Sequence, residues 1–149
     1  CFWGPFGTGK TGLAVGYLRE GVYHDWETKG GRVLFRSVPR LMTELRATYN
    51  RDKDSETPTE AEVLNVYTRC SMLALDDLGA ENVRNTGWLE DRLYQIIGER
   101  HENERLTLFT SNLSLEALAG RIGERVTWRI VEMCGKERIV NVDGPNLRL

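Results

Sequence analysis

Near the start of the chain, Gly4-Pro5-Phe6-Gly7-Thr8-Gly9-Lys10-Thr11 restricts the fold more than any other stretch. Glycines at 4, 7 and 9 permit a tight loop whose backbone N–H groups turn inward around an anion, and a following helix N-terminus adds positive potential. The spacing GxxxxGK[ST] works when a buried strand enters the loop and a helix leaves it. Cys1-Phe2-Trp3 reads as the end of such a strand, and Lys10 to about His24 reads as the helix, with Leu13, Ala14, Tyr17 and Leu18 on one face. The expected site therefore wraps a phosphate chain with residues 4–9, reaches the β and γ phosphates with Lys10 and ligates Mg²⁺ through the Thr11 hydroxyl. The alternative, an ordinary glycine-rich turn, needs neither flanking element.

Downstream, short continuous apolar runs alternate with helically spaced ones, the pattern of β-α-β units on a parallel sheet. The chain of 149 residues suits one domain. Lys29-Gly30-Gly31 reads as a turn, Val33 to Ser37 as a strand and Val38 to Tyr49 as a helix with Leu41, Met42 and Leu45 inward. Arg51 to Thr57 reads as a loop, and Thr57-Pro58-Thr59-Glu60 as a helix start. Met72 to Leu75 is expected as a strand covered on both faces. Trp88, Leu89, Leu93, Ile96 and Ile97 stripe the next helix. Leu106 to Thr110 is the following strand, Ser114 caps a short helix, Ile122 to Met133 forms another, and Arg138 to Val142 closes the sheet. The fold expected is α/β: a three-layer αβα P-loop NTPase with five parallel strands and no helical lid, because the chain ends soon after the last strand.

A phosphate loop needs a carboxylate at the end of a neighbouring strand, and Leu73-Ala74-Leu75-Asp76-Asp77 supplies two. Asp76 is expected at the metal, and Asp77 as the base that orients or activates water. A solvated acidic turn is the alternative reading of the pair. Aspartate is shorter than glutamate at the second position, so slow turnover is expected.

Composition excludes several classes. Twenty Lys and Arg against twenty-two Asp and Glu give a net charge of −2, so the protein is not a globally basic nucleic-acid coat. No apolar run approaches the ~18 residues that cross a bilayer, so no membrane partner is expected. Cys1, Cys70 and Cys134 are odd in number and far apart, which argues against a disulfide framework or zinc site and favours a reducing, cytoplasmic setting. Since Cys1 opens the chain and the loop follows three residues later, the sequence reads as the body of a longer protein lacking its natural start. Residues 29–53 hold Lys29, Arg32, Arg36, Arg40, Arg46, Arg51 and Lys53 against Glu44 and Asp52, a local +5 that leaves −7 elsewhere. Such asymmetry, with Tyr49 available to stack on a base, suits a phosphate-tracking surface; a solvated helix face is the commoner meaning of scattered arginine.

Asp76-Asp77-Leu78-Gly79-Ala80-Glu81, Leu93-Tyr94-Gln95-Ile96-Ile97, Thr110-Ser111-Asn112-Leu113-Ser114, Gly123-Glu124-Arg125-Val126-Thr127-Trp128-Arg129 and Gly144-Pro145-Asn146-Leu147-Arg148-Leu149 occur in an order that resembles AAA+ ATPases of the DnaC/DnaI helicase-loader type. IstB-type transposition helper ATPases are close relatives with most of the same features. The resemblance implies an ATPase that uses ATP and Mg²⁺, assembles as a homo-oligomeric ring or spiral, binds single-stranded DNA and grips a replicative helicase through an amino-terminal region missing here. It implies that Asn112 is the polar sensor of the γ-phosphate and Arg129 the arginine finger of a neighbouring site. Arg125, one turn earlier, is a second candidate. Helical spacing supports an arginine stripe of Arg121, Arg125 and Arg129 beside an apolar stripe of Ile122, Val126 and Ile130. A P-loop kinase and a nucleotide switch that scarcely hydrolyses ATP remain alternatives outside the family.

Overall fold

The computed structural model describes residues 1–24, 31–50, 56–80 and 86–147. Lys29, Gly30, Arg51, Asp52, Lys53, Glu81, Arg148 and Leu149, all used in the sequence reading, lie outside the described residues.

The elements run β1 (Phe2–Trp3), α1 (Lys10–Tyr23), β2 (Val33–Ser37), α2 (Val38–Ala47), α3 (Glu60–Arg69), β3 (Met72–Leu78), α4 (Thr86–Glu102), β4 (Leu106–Ser111), α5 (Leu115–Ile122), α6 (Glu124–Cys134) and β5 (Val140–Asn141). The five strands form one parallel sheet in the order β2-β3-β4-β1-β5. This order sets β1, which leads into the phosphate loop, beside β4, and β4 beside β3, so three strand ends meet at one place.

The apolar run at the start of β3 is buried on both sides, as expected. Met72 and Ala74 pack with Leu108 against Ala14 and Leu18 of α1. Leu73 and Leu75 point the other way, into a larger core built with Phe109 and the inward faces of α2 to α6. Leu93, Ile96 and Ile97 of α4 are fully buried, each stabilising the fold by about 1.5–3 kcal/mol.

Four expectations need correction. On α1 the buried positions are Lys10, Ala14, Leu18 and Gly21, while Leu13 and Tyr17 are largely exposed. Only a narrow strip of α1 meets Met72, Ala74 and Leu108 on the sheet face beneath it. The cap of α3 is Thr59 rather than Thr57: its hydroxyl accepts from the Glu62 N–H at 3.2 Å and Glu62 Oε2 accepts from the Thr59 N–H at 2.7 Å. The sequence holds two overlapping capping patterns, and the one used satisfies two backbone donors reciprocally. β3 does not stop at Leu75; it continues through both aspartates to Leu78, with a register irregularity between Leu75 and Leu78. The helix expected from Ile122 starts at Glu124, because Gly123 at φ 97° separates α5 from α6. Arg121 therefore stands on a different helix from Arg125 and Arg129, and the three-arginine stripe does not form.

Candidate nucleotide-binding site

Residues 4–9 connect β1 to α1, and Gly4, Gly7 and Gly9 all have positive φ. At Gly7 there is a second constraint, since a Cβ would lie 1.9 Å from Asn146 Oδ1. Gly9 caps α1 without a side-chain hydrogen bond, and no acidic residue occupies the first turn. The positive end of the helix is thus not neutralised locally. Lys10, only 6% exposed, folds back over the loop and donates to the carbonyls of Gly4 at 2.8 Å and Pro5 at 2.5 Å. Thr8 also closes on the loop, donating to the Pro5 carbonyl at 3.0 Å.

The strand ends supply the acidic half. Asp76, 8% exposed, accepts through Oδ1 from Thr11 at 2.9 Å and from Thr110 at 2.7 Å. The Thr110 hydroxyl in turn accepts from the Asp77 N–H at 2.9 Å. Asn112 Nδ2 donates to Asp77 Oδ1 at 2.6 Å. Asp77 sits at φ 62°, a left-handed conformation that costs a non-glycine residue about 1–2 kcal/mol. The bond from Thr110, that from Asn112 and an Ala80 N–H to Asp77 carbonyl contact at 3.2 Å hold it there. The loop, Asp76, Asp77, Thr110, Asn112 and Leu147 line a common cavity of about 290 Å³.

This donor set fits a nucleotide triphosphate with a divalent cation. A lysine ammonium, an uncapped helix N-terminus and glycine-borne N–H groups suit phosphate; a hydroxyl bonded to a buried carboxylate suits Mg²⁺, which takes few protein oxygens and keeps waters.

Arg125 and Arg129 lie elsewhere. Arg125 Nε donates to Glu90 at 3.1 Å, Nη2 donates to Asp91 at 3.3 Å, and the guanidinium sits 4.8 Å from the Tyr94 ring centre. Arg129 bonds the Tyr94 hydroxyl at 3.2 Å, Glu132 at 3.3 Å and His101 Nδ1 at 3.1 Å. The hydrogen bond to Glu90 raises the Arg125 pKa and the one to Tyr94 raises that of Arg129. None of these partners lines the cavity. The chain thus brings residues 4–11, Asp76, Asp77 and Asn112 together and leaves both arginines on a separate face. Arg121 donates to the Gly79 carbonyl at 3.2 Å, just beyond the acidic pair.

Sequence reasoning passed over four participants. Thr110 joins the two aspartates, and its signal was position: two residues before Asn112 on the strand beside β3. Tyr94 underlies both arginines. Asn146 and Leu147 lie against the phosphate loop, with the Leu147 N–H donating to the Gly7 carbonyl at 2.9 Å; no spacing announces that contact. Of the basic stretch, Arg36 and Arg40 both converge on Glu44, at 3.4 and 3.5 Å. Arg46 instead lies 5.1 Å over the Trp88 ring, which donates to the Tyr49 hydroxyl at 2.6 Å.

Comparison with known proteins agrees with this geometry. The family model for the IstB-like ATP binding protein matches residues 1–149. The chain is 27% identical over 128 residues to the replicative helicase loader DnaC of Buchnera aphidicola subsp. Baizongia pistaciae (strain Bp), spanning 83% of this chain and 48% of that protein. It is likewise 27% identical over 117 residues to the replicative helicase loader DnaI of Bacillus subtilis (strain 168), spanning 78% and 33%. The chain spans about half or less of these curated relatives. The crystal structure of the DnaC helicase loader superposes with a TM-score of 0.74 at 31% identity, covering 95% of this chain and 76% of that one. Among the described residues no helix is long and apolar enough to cross a membrane. With a family match along its whole length, this chain belongs to the IstB-like ATP-binding family and is an AAA+ ATP-binding domain related to the DnaC and DnaI helicase loaders.

Proposed function

We propose that the chain hydrolyses Mg-ATP slowly and uses nucleotide state to control a grip on single-stranded DNA during loading of a replicative helicase. The observation that carries the reading is the hydrogen-bond chain Thr11–Asp76–Thr110–Asp77–Asn112 beside the phosphate loop. Lys10 leaves the Gly4 and Pro5 carbonyls to neutralise the β and γ phosphates. Thr11 and Asp76 hold Mg²⁺, which offsets phosphate charge when bound. Asp77 orients the attacking water and accepts its proton, and Asn112 fixes the Asp77 carboxylate beside the γ-phosphate. Arg129, with Arg125 as the alternative, completes the site of a neighbouring copy, because neither reaches the cavity of its own chain.

For DNA, exposed Tyr49 with Trp88 and Arg46 offers aromatic faces beside a cation, a better stacking platform than the Glu44-bound Arg36 and Arg40. The name of the relatives supports the loader role. The name of the matching family supports a second reading, a transposition helper with the same chemistry and a transposase as partner.

The decisive experiment is ATP turnover per molecule against protein concentration, with and without single-stranded DNA. A specific rate that rises with concentration and responds to DNA is expected. A flat, DNA-insensitive rate overturns the shared-site reading and leaves a nucleotide switch or a kinase. Direct binding to a hexameric helicase or to a transposase separates the two family readings.

A further inference from the structure

Cys1 and Cys134 are 133 positions apart in the chain and neighbours in the fold. Cys134 is the last residue of α6, and its Sγ lies 3.7 Å from the backbone nitrogen of Cys1. That nitrogen also donates to the Arg138 carbonyl at 2.7 Å, which fixes Cys1 against the segment that follows α6. Side chains alternate along a strand. Phe2 packs with the core under α1, whereas Cys1 points to the other face and shares the larger core with Cys134. The two thiols therefore lie in the same layer, between β1 and the end of α6.

Both are free thiols, 7% and 6% exposed. Burial alone makes a thiol inert, but these two also line one cavity of about 530 Å³ at the amino ends of β1, β4 and β5. Phe2, Leu106 and Val140, the first residues of those strands, belong to the same lining. The nucleotide cavity is at the opposite end of the sheet. A small oxidant that enters the cavity of the two cysteines meets both residues. Cys70 differs. It is 3% exposed and lines neither cavity; its thiol donates to the Tyr67 carbonyl at 3.4 Å and accepts from Arg100 at 3.2 Å, and burial pushes its pKa up.

The geometry points to Cys1 and Cys134 as a redox-sensitive pair that closes to an intramolecular disulfide when hydrogen peroxide enters this cavity. One thiolate attacks a peroxide oxygen, the O–O bond breaks, and the cysteine becomes a sulfenic acid as hydroxide leaves and takes up the thiol proton. The second thiol attacks that sulfur, the S–O bond breaks and a second water leaves. Two thiols and one hydrogen peroxide thus give one disulfide and two waters, with sulfur oxidised by two electrons and peroxide reduced by two. Rotation about χ1 at each cysteine is the movement that brings the sulfurs to bonding distance. Thiol reductants reverse the link, so it suits a setting that keeps these cysteines reduced at rest. It joins the strand that enters the phosphate loop to the helix that carries Arg129.

The test is a peptide map of the full chain after exposure to a small excess of hydrogen peroxide. Acid quenching and alkylation stop exchange, and trypsin leaves the three cysteines on separate peptides, residues 1–10, 70–84 and 130–136. A linked pair of 1–10 with 130–136, lighter by two hydrogens and parted by dithiothreitol, is expected, with Cys70 still alkylated. Closing so long a loop should raise the melting temperature by about 5–10 °C. Cys1→Ser and Cys134→Ser should each abolish that rise, and the map of the unaltered chain stands even when a variant folds poorly. Sulfinic or sulfonic acid on either cysteine without the linked pair overturns the proposal. So does a link to Cys70, a link between two copies, or full alkylation of Cys1 and Cys134 after the methionines have oxidised.

Discussion

The two ends of the sheet handle buried polar groups in opposite ways. At the amino ends of β3 and β4 the chain is sealed by Arg100, fully buried on α4. Its guanidinium donates to the carbonyls of Tyr67 at 2.9 Å, Cys70 at 2.8 Å and Leu106 at 2.7 Å, and to the Thr107 hydroxyl at 2.8 Å. Burial lowers its pKa, with the Cys70 thiol opposing, yet guanidinium remains charged under any ordinary condition. At the carboxyl ends the cation is Lys10, which donates to the Gly4 and Pro5 carbonyls and the Thr8 hydroxyl beside an open cavity. One end is a lock, with the guanidinium held by backbone carbonyls and the Thr107 hydroxyl. The other keeps a flexible ammonium on carbonyls it can leave and strains Asp77 to aim its carboxylate. A planar, always-charged guanidinium suits the first task, and a compact ammonium on a long stem suits the second.

This contrast can be broken from either side. The largest effect is expected at the open end: Arg129→Ala should lower turnover about a thousandfold while sparing nucleotide affinity. Mixing it with Asp77→Asn should restore activity when the site is shared, and steady-state kinetics of the mixture reads the outcome. Unchanged turnover would remove Arg129 from the site. At the closed end, Arg100→Leu should cost about 3 kcal/mol in denaturant unfolding, because several buried carbonyls lose their donor. Its nucleotide affinity should be normal in the fraction that folds, and a selective loss of affinity would show that the two ends are not separate.

Thr110→Val tests the strain directly. It removes the hydroxyl that accepts from the Asp77 N–H and donates to Asp76, so about 1–2 kcal/mol of stability should be lost. Turnover should fall further than nucleotide affinity, and equal falls would argue against a positioning role. The smallest effect concerns pH at Tyr67, whose carbonyl belongs to the closed end and whose hydroxyl lies between Glu44 and Arg36. Burial, with the hydrogen bond to Glu44, pushes Tyr67 from 10.0 up to about 12. A raised acid favours the protonated folded form, so this contribution is complete below pH 10 and is lost as pH rises from about 10 to about 12. Stability measured across that window should decline, and Tyr67→Phe should flatten the decline.

Much of the open end was legible in sequence. Residues 4–11 form one continuous turn-and-helix unit, so their spacing fixes their geometry, and the unbroken apolar run before Asp76 announces a strand buried on both faces. Asn112 was legible by resemblance because it ends the strand neighbouring β3. The closed end was not. Arg100 looks like any charged residue near a helix end, and only the packing of α4 across the starts of β3 and β4 turns it inward. The arginine stripe failed for a related reason: periodicity reads through Gly123, whereas a Cβ there would lie 2.3 Å from Glu90 Cδ and the backbone turns at φ 97°.

By itself, then, the sequence determined the parallel α/β arrangement, the phosphate loop and the acidic pair, since each depends on residues adjacent in the chain or on periodicity within one element. Tertiary structure alone decided that Thr110 bridges the two aspartates, that Asn146 and Leu147 close on Gly7, that Tyr94 carries both arginines, and that Arg125 and Arg129 face away from their own cavity. Those relations join residues far apart in the chain, and strand order and helix packing, which no local spacing encodes, set the distances between them.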